Sequence, residues 1–440
     1  MPTLADQDLE ARVFRKVRAR LIPFMFLLYV IAYLDRVNVG FAALQMNRDL
    51  HFTPSEFGVG AGIFFIGYML FEVPSNLLLE RFGARVWIAR IMIMWGIVSV
   101  GMMFVTSVPG FYLLRFLLGL AEAGFFPGMI LYLTYWFPAA HRAKAIAQFM
   151  TATAIAGVIG GPLSGLLLGL DGVGGLAGWQ WLFLVEGLPA VVIGFVVLGY
   201  LTDRPEQATW LEADERAWLI ARMRDDRAAR GEAHPSVWRA LASPMVWLFA
   251  LLYFTIISSF YGVSFWLPQI VKQFSGLSDV AVGFVAAIPY IAAALVMVWV
   301  GVHSDRTGER RWHVSIPACV GAIGLLLSAA TDTPAIALVT LSIAAAGIWG
   351  SLGPFWALPT AMLSGTAAAG GIALINSIGN LGGFVGPQII GSIVERTGSL
   401  SMALVALAAS PFVGSILVLL IVPAAPRTPS PAAGAADVQS

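Results

Sequence analysis

Twelve apolar stretches of about 20 residues each set the first constraint on this chain, because that is the length a helix needs to cross a bilayer. They run over roughly 21–43, 57–79, 86–106, 109–135, 145–168, 180–200, 244–268, 280–302, 313–330, 334–362, 370–393 and 400–422, and are numbered spans 1 to 12 below. In lipid every backbone polar group must be satisfied within the segment, so such stretches fold as helices. The predicted fold is therefore an all-α membrane protein. Composition agrees: 12% of residues are charged, about half the 25% of an ordinary soluble domain. A formal net charge of +1 gives no basic surface for nucleic acid, and a lone cysteine, Cys319, excludes a disulfide framework or a cysteine metal site.

Between spans 6 and 7 lies the one long polar stretch, 201–243, which divides the chain into halves of six spans, 21–200 and 244–422. Residues 212–230 within it alternate acid and base and suit a surface helix. Residues 1–20 carry mixed charge without a signal-peptide pattern, and 423–440 are rich in Pro, Ala and Ser, the composition of a disordered tail. Basic residues concentrate in alternate loops: Arg12 to Arg20, then Arg81 and Arg85, Arg142 and Lys144, the linker, and Arg306 to Arg311. The opposite loops hold little beyond Arg48, Lys272 and Arg396. By the positive-inside rule both termini and the linker are cytoplasmic, as expected for a multi-pass protein of a bacterial-type inner membrane.

The halves repeat each other. The loop after span 2 carries Glu80, Arg81, Gly83 and Arg85; the loop after span 8 carries Asp305, Arg306, Gly308 and Arg310 at the same intervals. Spans 5 and 11 also match, with Gly157, Gly160, Gly161, Pro162 and Gly165 in one and Gly379, Gly382, Gly383, Gly386, Pro387 and Gly391 in the other. Small residues permit close helix contact and Pro permits bending, so in an alternating-access carrier these two spans are expected to line the seam between the halves. Corresponding features in corresponding places predict two pseudo-symmetric six-helix halves, an architecture of secondary transporters.

Charges inside the spans point to function, since each costs roughly 2.5–3.5 kcal/mol to insert at mid-membrane. Span 1 holds Asp35, Arg36 and Asn38; span 4 holds Arg115 and Glu122, seven residues apart and so on one face. At 1.5 Å per residue, Asp35 lies about 12 Å below the outer end of span 1, between Arg115 at about 9 Å and Glu122 at about 20 Å. The expectation is that Asp35 pairs with Arg115 while Arg36, some 100° round the helix, stays unpaired and points into a central cavity. Arg grips carboxylates bidentately, so such a cavity suits an organic anion, and Glu122 in apolar surroundings suits a proton carrier. A purely structural ion-pair network is the alternative reading, and for Glu72 in span 2 and Glu186 in span 6 a structural role is at least equally expected. Tyr33 shares a face with Arg36, and Asn376 in mid-span requires a partner. Tyr68, Tyr261, Trp266, Trp349 and Trp356 are further candidates for the wall of a pocket.

The two repeated loops resemble the G-x-x-x-D-R-x-G-R-R/K signature of the major facilitator superfamily, with Asn76 and Glu80 standing for the Gly and Asp in the first copy. Three further pieces resemble its anion:cation symporter branch, which includes tartrate and sugar-acid transporters: Tyr33-Leu-Asp35-Arg36-Val-Asn38, Arg115-x3-Gly119-x2-Glu122-Ala-Gly124-Phe-Phe-Pro127-Gly128, and Trp181-Leu-Phe-Leu-Val-Glu186-Gly187. The resemblance implies the major facilitator fold, a monomer, and alternating access driven by a proton gradient without a cofactor. It implies that Asp35 and Glu122 couple protons, that Arg36 binds the anion, and that Tyr33, Tyr68, Trp356 and Asn376 complete the substrate site. It gives the repeated loops the role of a cytoplasmic latch. The five histidines have no metal-ligand spacing and no phosphate loop or nucleotide-binding domain appears, so an enzyme is not expected. Symport of a small organic anion with protons is the leading expectation. Export or exchange of another small molecule, and a non-transporting sensor on the same fold, stay open.

Overall fold

The computed structural model describes residues 4–230, 241–362 and 366–423. Among these residues every regular element is helical. Among the described residues ten helical segments are long and apolar enough to cross a membrane, one of them, Val108–Trp136, with a break inside it. The other two expected spans are span 5, in Ala139–Leu168, and span 11, which is split at Leu381 into Thr366–Asn380 and Gly382–Thr397. Apolar side chains such as Phe195 (61% exposed), Leu295 (68%) and Leu420 (77%) stay on the outside. That exposure suits a chain whose surrounding solvent is lipid. The expected boundary at 20–21 is not a break, because span 1 is one helix, Leu4–Asp49. Its N-terminal extension is held by the linker helix Ala213–Arg230, the surface helix expected there. The buried Glu215 of that helix pairs with Arg12 at 3.0 Å and Lys16 at 2.7 Å. The expected tail, from residue 424 on, and linker residues 231–240 lie outside the described residues.

Local sequence explains the helix ends. Thr53 and Glu56 form a reciprocal capping box and Pro54 takes the first turn, so span 2 (Pro54–Phe82) starts sharply. Span 4 is broken between Val108–Glu122 and Phe125–Trp136, where Gly124 adopts φ +84°, a left-handed conformation that glycine takes without strain.

The two halves meet tightly at one end. A Cβ on Gly161 of span 5 would lie 2.4 Å from the carbonyl oxygen of Gly283 in span 8 (Asp279–Thr307), so backbones touch there. Gly58 and Gly62 of span 2 meet the backbone of Pro387 and Phe384 in span 11 in the same way. Two polar ties cross the halves at this level: Gln45 donates to Asp279 at 3.1 Å and the Ser55 amide donates to Glu395 at 2.9 Å. The expectation that glycines of spans 5 and 11 line the seam is met by Gly161, Gly165, Gly383 and Gly391. Gly379, Gly382 and Gly386 instead let span 11 pack on span 7 (Pro244–Ser275) within its own half. From this closed end a cavity of about 580 Å³ descends between the halves as far as Asp305 and Arg310 at the opposite end of span 8.

Candidate functional site

The cavity wall is built from one face of each contributing helix. In span 1, Tyr29, Tyr33 and Arg36 follow one another at helical spacing; in span 7, Tyr253, Ile257 and Tyr261 do the same. Phe65 and Tyr68 of span 2, Trp349 and Trp356 of span 10 and Asn376 of span 11 close the ring. The five residues expected to bind substrate, Arg36, Tyr33, Tyr68, Trp356 and Asn376, are thus brought together in one wall. Tyr261 and Trp349 join them, while Trp266 sits elsewhere, donating to the Pro387 carbonyl at 3.1 Å in the closed end.

The charges are arranged differently from the expected scheme. Arg36 is not unpaired. Its guanidinium makes a buried ion pair with Glu122, and its other terminal nitrogen donates to the Tyr261 hydroxyl at 3.1 Å. The rings of Phe64 and Tyr68 lie 5.6 Å from it. Glu122 is the last residue before the break in span 4, where the negative end of a helix dipole favours a cation beside the carboxylate.

Asp35 does not pair with Arg115. The turn of about 100° from Arg36 sends Asp35 toward span 3 (Ala84–Gly101) instead of span 4. There its carboxylate accepts from Trp95 at 2.5 Å and from the Ser99 hydroxyl, and Asn38 of span 1 adds a third donor at 3.1 Å. Arg115, fully buried, donates to the carbonyls of Gly60 (3.2 Å) and Ala61 (2.8 Å) in span 2. The reason is close packing of spans 2 and 4. A Cβ on Gly119 would lie 1.9 Å from the Phe64 carbonyl oxygen, and one on Gly67 would lie 2.3 Å from that of Phe116. Arg115 is sealed between the two helices and places two of its three guanidinium nitrogens on the nearest backbone carbonyls.

Two carboxylates expected to be structural have defined partners. Glu186 accepts from Ser164 at 2.8 Å. Glu72 reaches across to the other half and takes Asn376 at 2.5 Å and Ser377 at 2.7 Å. Asn376 therefore has the partner its place in mid-span required, though sequence gave no means of naming it.

Where the charged residues of the two repeated loops have ion-pair partners among the described residues, these lie within the same half. Asp305 pairs with Arg310 of its own loop at 2.7 Å. Arg85 turns to Asp203 at the end of span 6, which accepts its backbone amide at 2.7 Å. Arg81 lies against the ring of Phe82, and among the described residues Glu80 makes no ion pair. Gly83 (φ +87°, ψ 152°) and Gly308 (φ +69°, ψ 0°) both end their helices with a positive φ, but only Gly308 takes the left-handed helical cap. Among the described residues no group of three or more His, Cys, Asp or Glu is placed to hold a metal ion.

The model of the Major Facilitator Superfamily matches residues 25–387. A protein of Agrobacterium vitis named "Putative tartrate transporter" is 54% identical over 96% of this chain and 94% of its own length. A protein of Acinetobacter baumannii named "Quinolone resistance transporter" is 44% identical over 94% of this chain and 96% of its own. Among solved structures, a bacterial homologue of the human lysosomal transporter Spinster, in an inward-facing and occupied conformation, superposes with a TM-score of 0.75 at 17% identity, covering 92% of this chain and 96% of that one.

Proposed function

From the premise that this chain is a transporter belonging to the major facilitator superfamily, we propose that it takes up a small hydroxylated organic anion, such as tartrate or a sugar acid, together with protons. The observation that carries this reading is the ion pair that Glu122 makes with Arg36, a residue in the wall of a cavity rich in aromatic side chains. A buried arginine beside a carboxylate is electrically balanced. If Glu122 takes a proton, Arg36 is left with a free charge in a low-dielectric wall, which is a site for one carboxylate. Departure of the anion restores the pair when Glu122 gives up its proton. Proton and carboxylate are then linked without any wire between distant sites, because the proton displaces the guanidinium from Glu122 and so frees that guanidinium for the anion.

Asp35, held by three donors in the shell behind Arg36, is the second proton-coupling residue in this scheme. The cavity wall comes from one chain, which supports a monomer as the transporting unit. Both termini lie on the cytoplasmic side of an inner membrane by the distribution of Lys and Arg. The relative named for tartrate supports the anion class. The relative named for quinolone resistance favours a second reading, outward movement of another small molecule on the same fold.

The test is uptake of labelled tartrate and related acids into proteoliposomes under an imposed pH gradient. An inward proton gradient should drive accumulation above the equilibrium level. Uptake that ignores the gradient for every such acid would sink the proton-coupled reading, and accumulation only under the reversed gradient would establish the outward one.

A further inference from the structure

Glu72 offers the strongest unexplained contact in the molecule. It is 4% exposed, and among the described residues it has no cation within ion-pair distance. Its two oxygens reach from span 2 of one half to span 11 of the other, one accepting from Asn376 and one from Ser377. Tyr68, one turn earlier on span 2, and Asn376 both line the cavity.

The chemistry of this contact is directional. A carboxylate only accepts hydrogen bonds, whereas a primary amide has a donor end and an acceptor end. An asparagine free to turn can present either end to a ligand. Asn376 is not free, since its nitrogen lies 2.5 Å from Glu72, which leaves its carbonyl oxygen at the other end of the amide group, turned away from that carboxylate. Ser377 occupies the second Glu72 oxygen and keeps the carboxylate from rotating toward another partner. The cavity therefore has two unlike polar poles. Arg36 is a pure donor. Asn376 offers a fixed acceptor, and the tyrosine hydroxyls between them can serve as either.

We propose that Glu72 is a positioning residue for substrate selectivity: it pins the Asn376 amide so that its carbonyl oxygen faces the cavity and selects anions bearing a hydroxyl donor. The inference rests on the reading of the cavity as a carboxylate site. A carboxylate bound at Arg36 then carries its hydroxyl to Asn376. An analogue lacking the hydroxyl leaves that acceptor unpaired once water is excluded, and a site built for a hydroxyl discriminates strongly against the analogue without it.

The experiment compares tartrate with succinate, the same dicarboxylate without hydroxyls, in proteoliposomes. The readout is the ratio of their kcat/KM values within one preparation, which does not depend on how much of the protein is folded. The wild type should prefer tartrate by at least 10-fold. Glu72→Gln, whose own amide can meet Asn376 in either orientation, should bring the ratio down by about 10-fold, chiefly by raising kcat/KM for succinate relative to tartrate. Glu72→Met, which removes the constraint altogether, should do the same and stands in if the glutamine variant does not assemble. Ser377→Ala, which leaves the Asn376 contact in place, should keep most of the preference. A wild-type ratio near one, with both acids transported, overturns the proposal while leaving the carboxylate reading intact. A ratio unchanged in both Glu72 variants overturns it too, showing that the contact only ties the halves together. Failure of the wild type to carry any carboxylate overturns the proposal along with the reading beneath it.

Discussion

The two halves of the molecule share a repeat but divide the labour. All the acids and arginines buried inside spans, Asp35, Arg36, Glu72, Arg115, Glu122 and Glu186, belong to the first half among the described residues. Apart from Asp305 and Arg310 at its far end, the second half contributes uncharged groups to the cavity, among them Tyr253, Tyr261, Trp349, Trp356 and Asn376. The repeated loops and glycine-rich spans preserve the shape that both halves need in order to rock. The charges are free of that constraint, and one set suffices for a single central site. The chemistry is concentrated where two arginines and four acids can balance one another, and the opposite wall supplies shape and hydrogen bonds. Three cross-half contacts join the two characters: Arg36 to Tyr261, Glu72 to Asn376, and Glu72 to Ser377.

If the division is real, the largest effect should come from Arg36. Arg36→Ala should reduce uptake at least 100-fold and also destabilise the protein, because removing one partner of a buried pair costs about 3–5 kcal/mol. Adding Glu122→Gln should recover much of the lost melting temperature and none of the uptake. Recovery of uptake in the double variant would break the assignment of anion binding to Arg36. Arg115 should behave differently although it is buried as deeply. Its two bonds to backbone carbonyls are each worth about 1.5–3 kcal/mol, so Arg115→Met should lower the melting temperature. It should change KM less than 3-fold. Because Asp35 and Arg115 share no contact, a double-mutant cycle of Asp35→Asn and Arg115→Met should give stability effects that add within about 0.5 kcal/mol. A coupling above 1 kcal/mol would restore the pair read from sequence.

That pair shows where sequence reading ends. The helical spans and the repeated loop and glycine patterns were legible because hydropathy, loop charge and glycine position are one-dimensional patterns. The cavity residues were legible where two signals coincided, as with Tyr33 one turn from Arg36. Tyr29 and Tyr253 carry the same signal, at i−7 from Arg36 and i−8 from Tyr261, and could have been found by it. Partner choice was not legible. Depth along the membrane normal brought Asp35 level with span 4, but depth carries no information about rotation, and the rotation of span 1 gives Asp35 to span 3. Arg115 could be settled only by knowing how closely Gly119 lets span 4 approach span 2. The Glu72 contact spans 304 positions of sequence, and no local pattern announces it.

Smaller effects should come from the uncharged half. Trp356→Ala should raise KM for the transported anion by about 10-fold, equivalent to about 1.4 kcal/mol of binding, with kcat within 3-fold of wild type. A 100-fold loss of kcat there would mean that the second half takes part in coupling as directly as the first.

The smallest effect tests the shared frame on which both halves depend. Gly161 and Gly283 are placed so that each backbone fills the space a side chain would need in the other. Gly161→Ala puts a methyl 2.4 Å from the Gly283 carbonyl oxygen in this structure, so the packed ends of the halves must part for it to fit. The variant should shift the population toward outward-open forms without touching any group in the cavity. The expected outcome is a few-fold fall in uptake rate with unchanged selectivity among anions. A cysteine at Ser55, whose amide is tied to Glu395 at the outer seam, should be labelled faster from outside in this background than in the wild type. Equal labelling would mean that the spans slide past the added methyl and that the glycine contact is packing alone. Faster labelling with altered selectivity would mean that closure of the outer seam also shapes the site, and the separation of frame from chemistry would have to be redrawn.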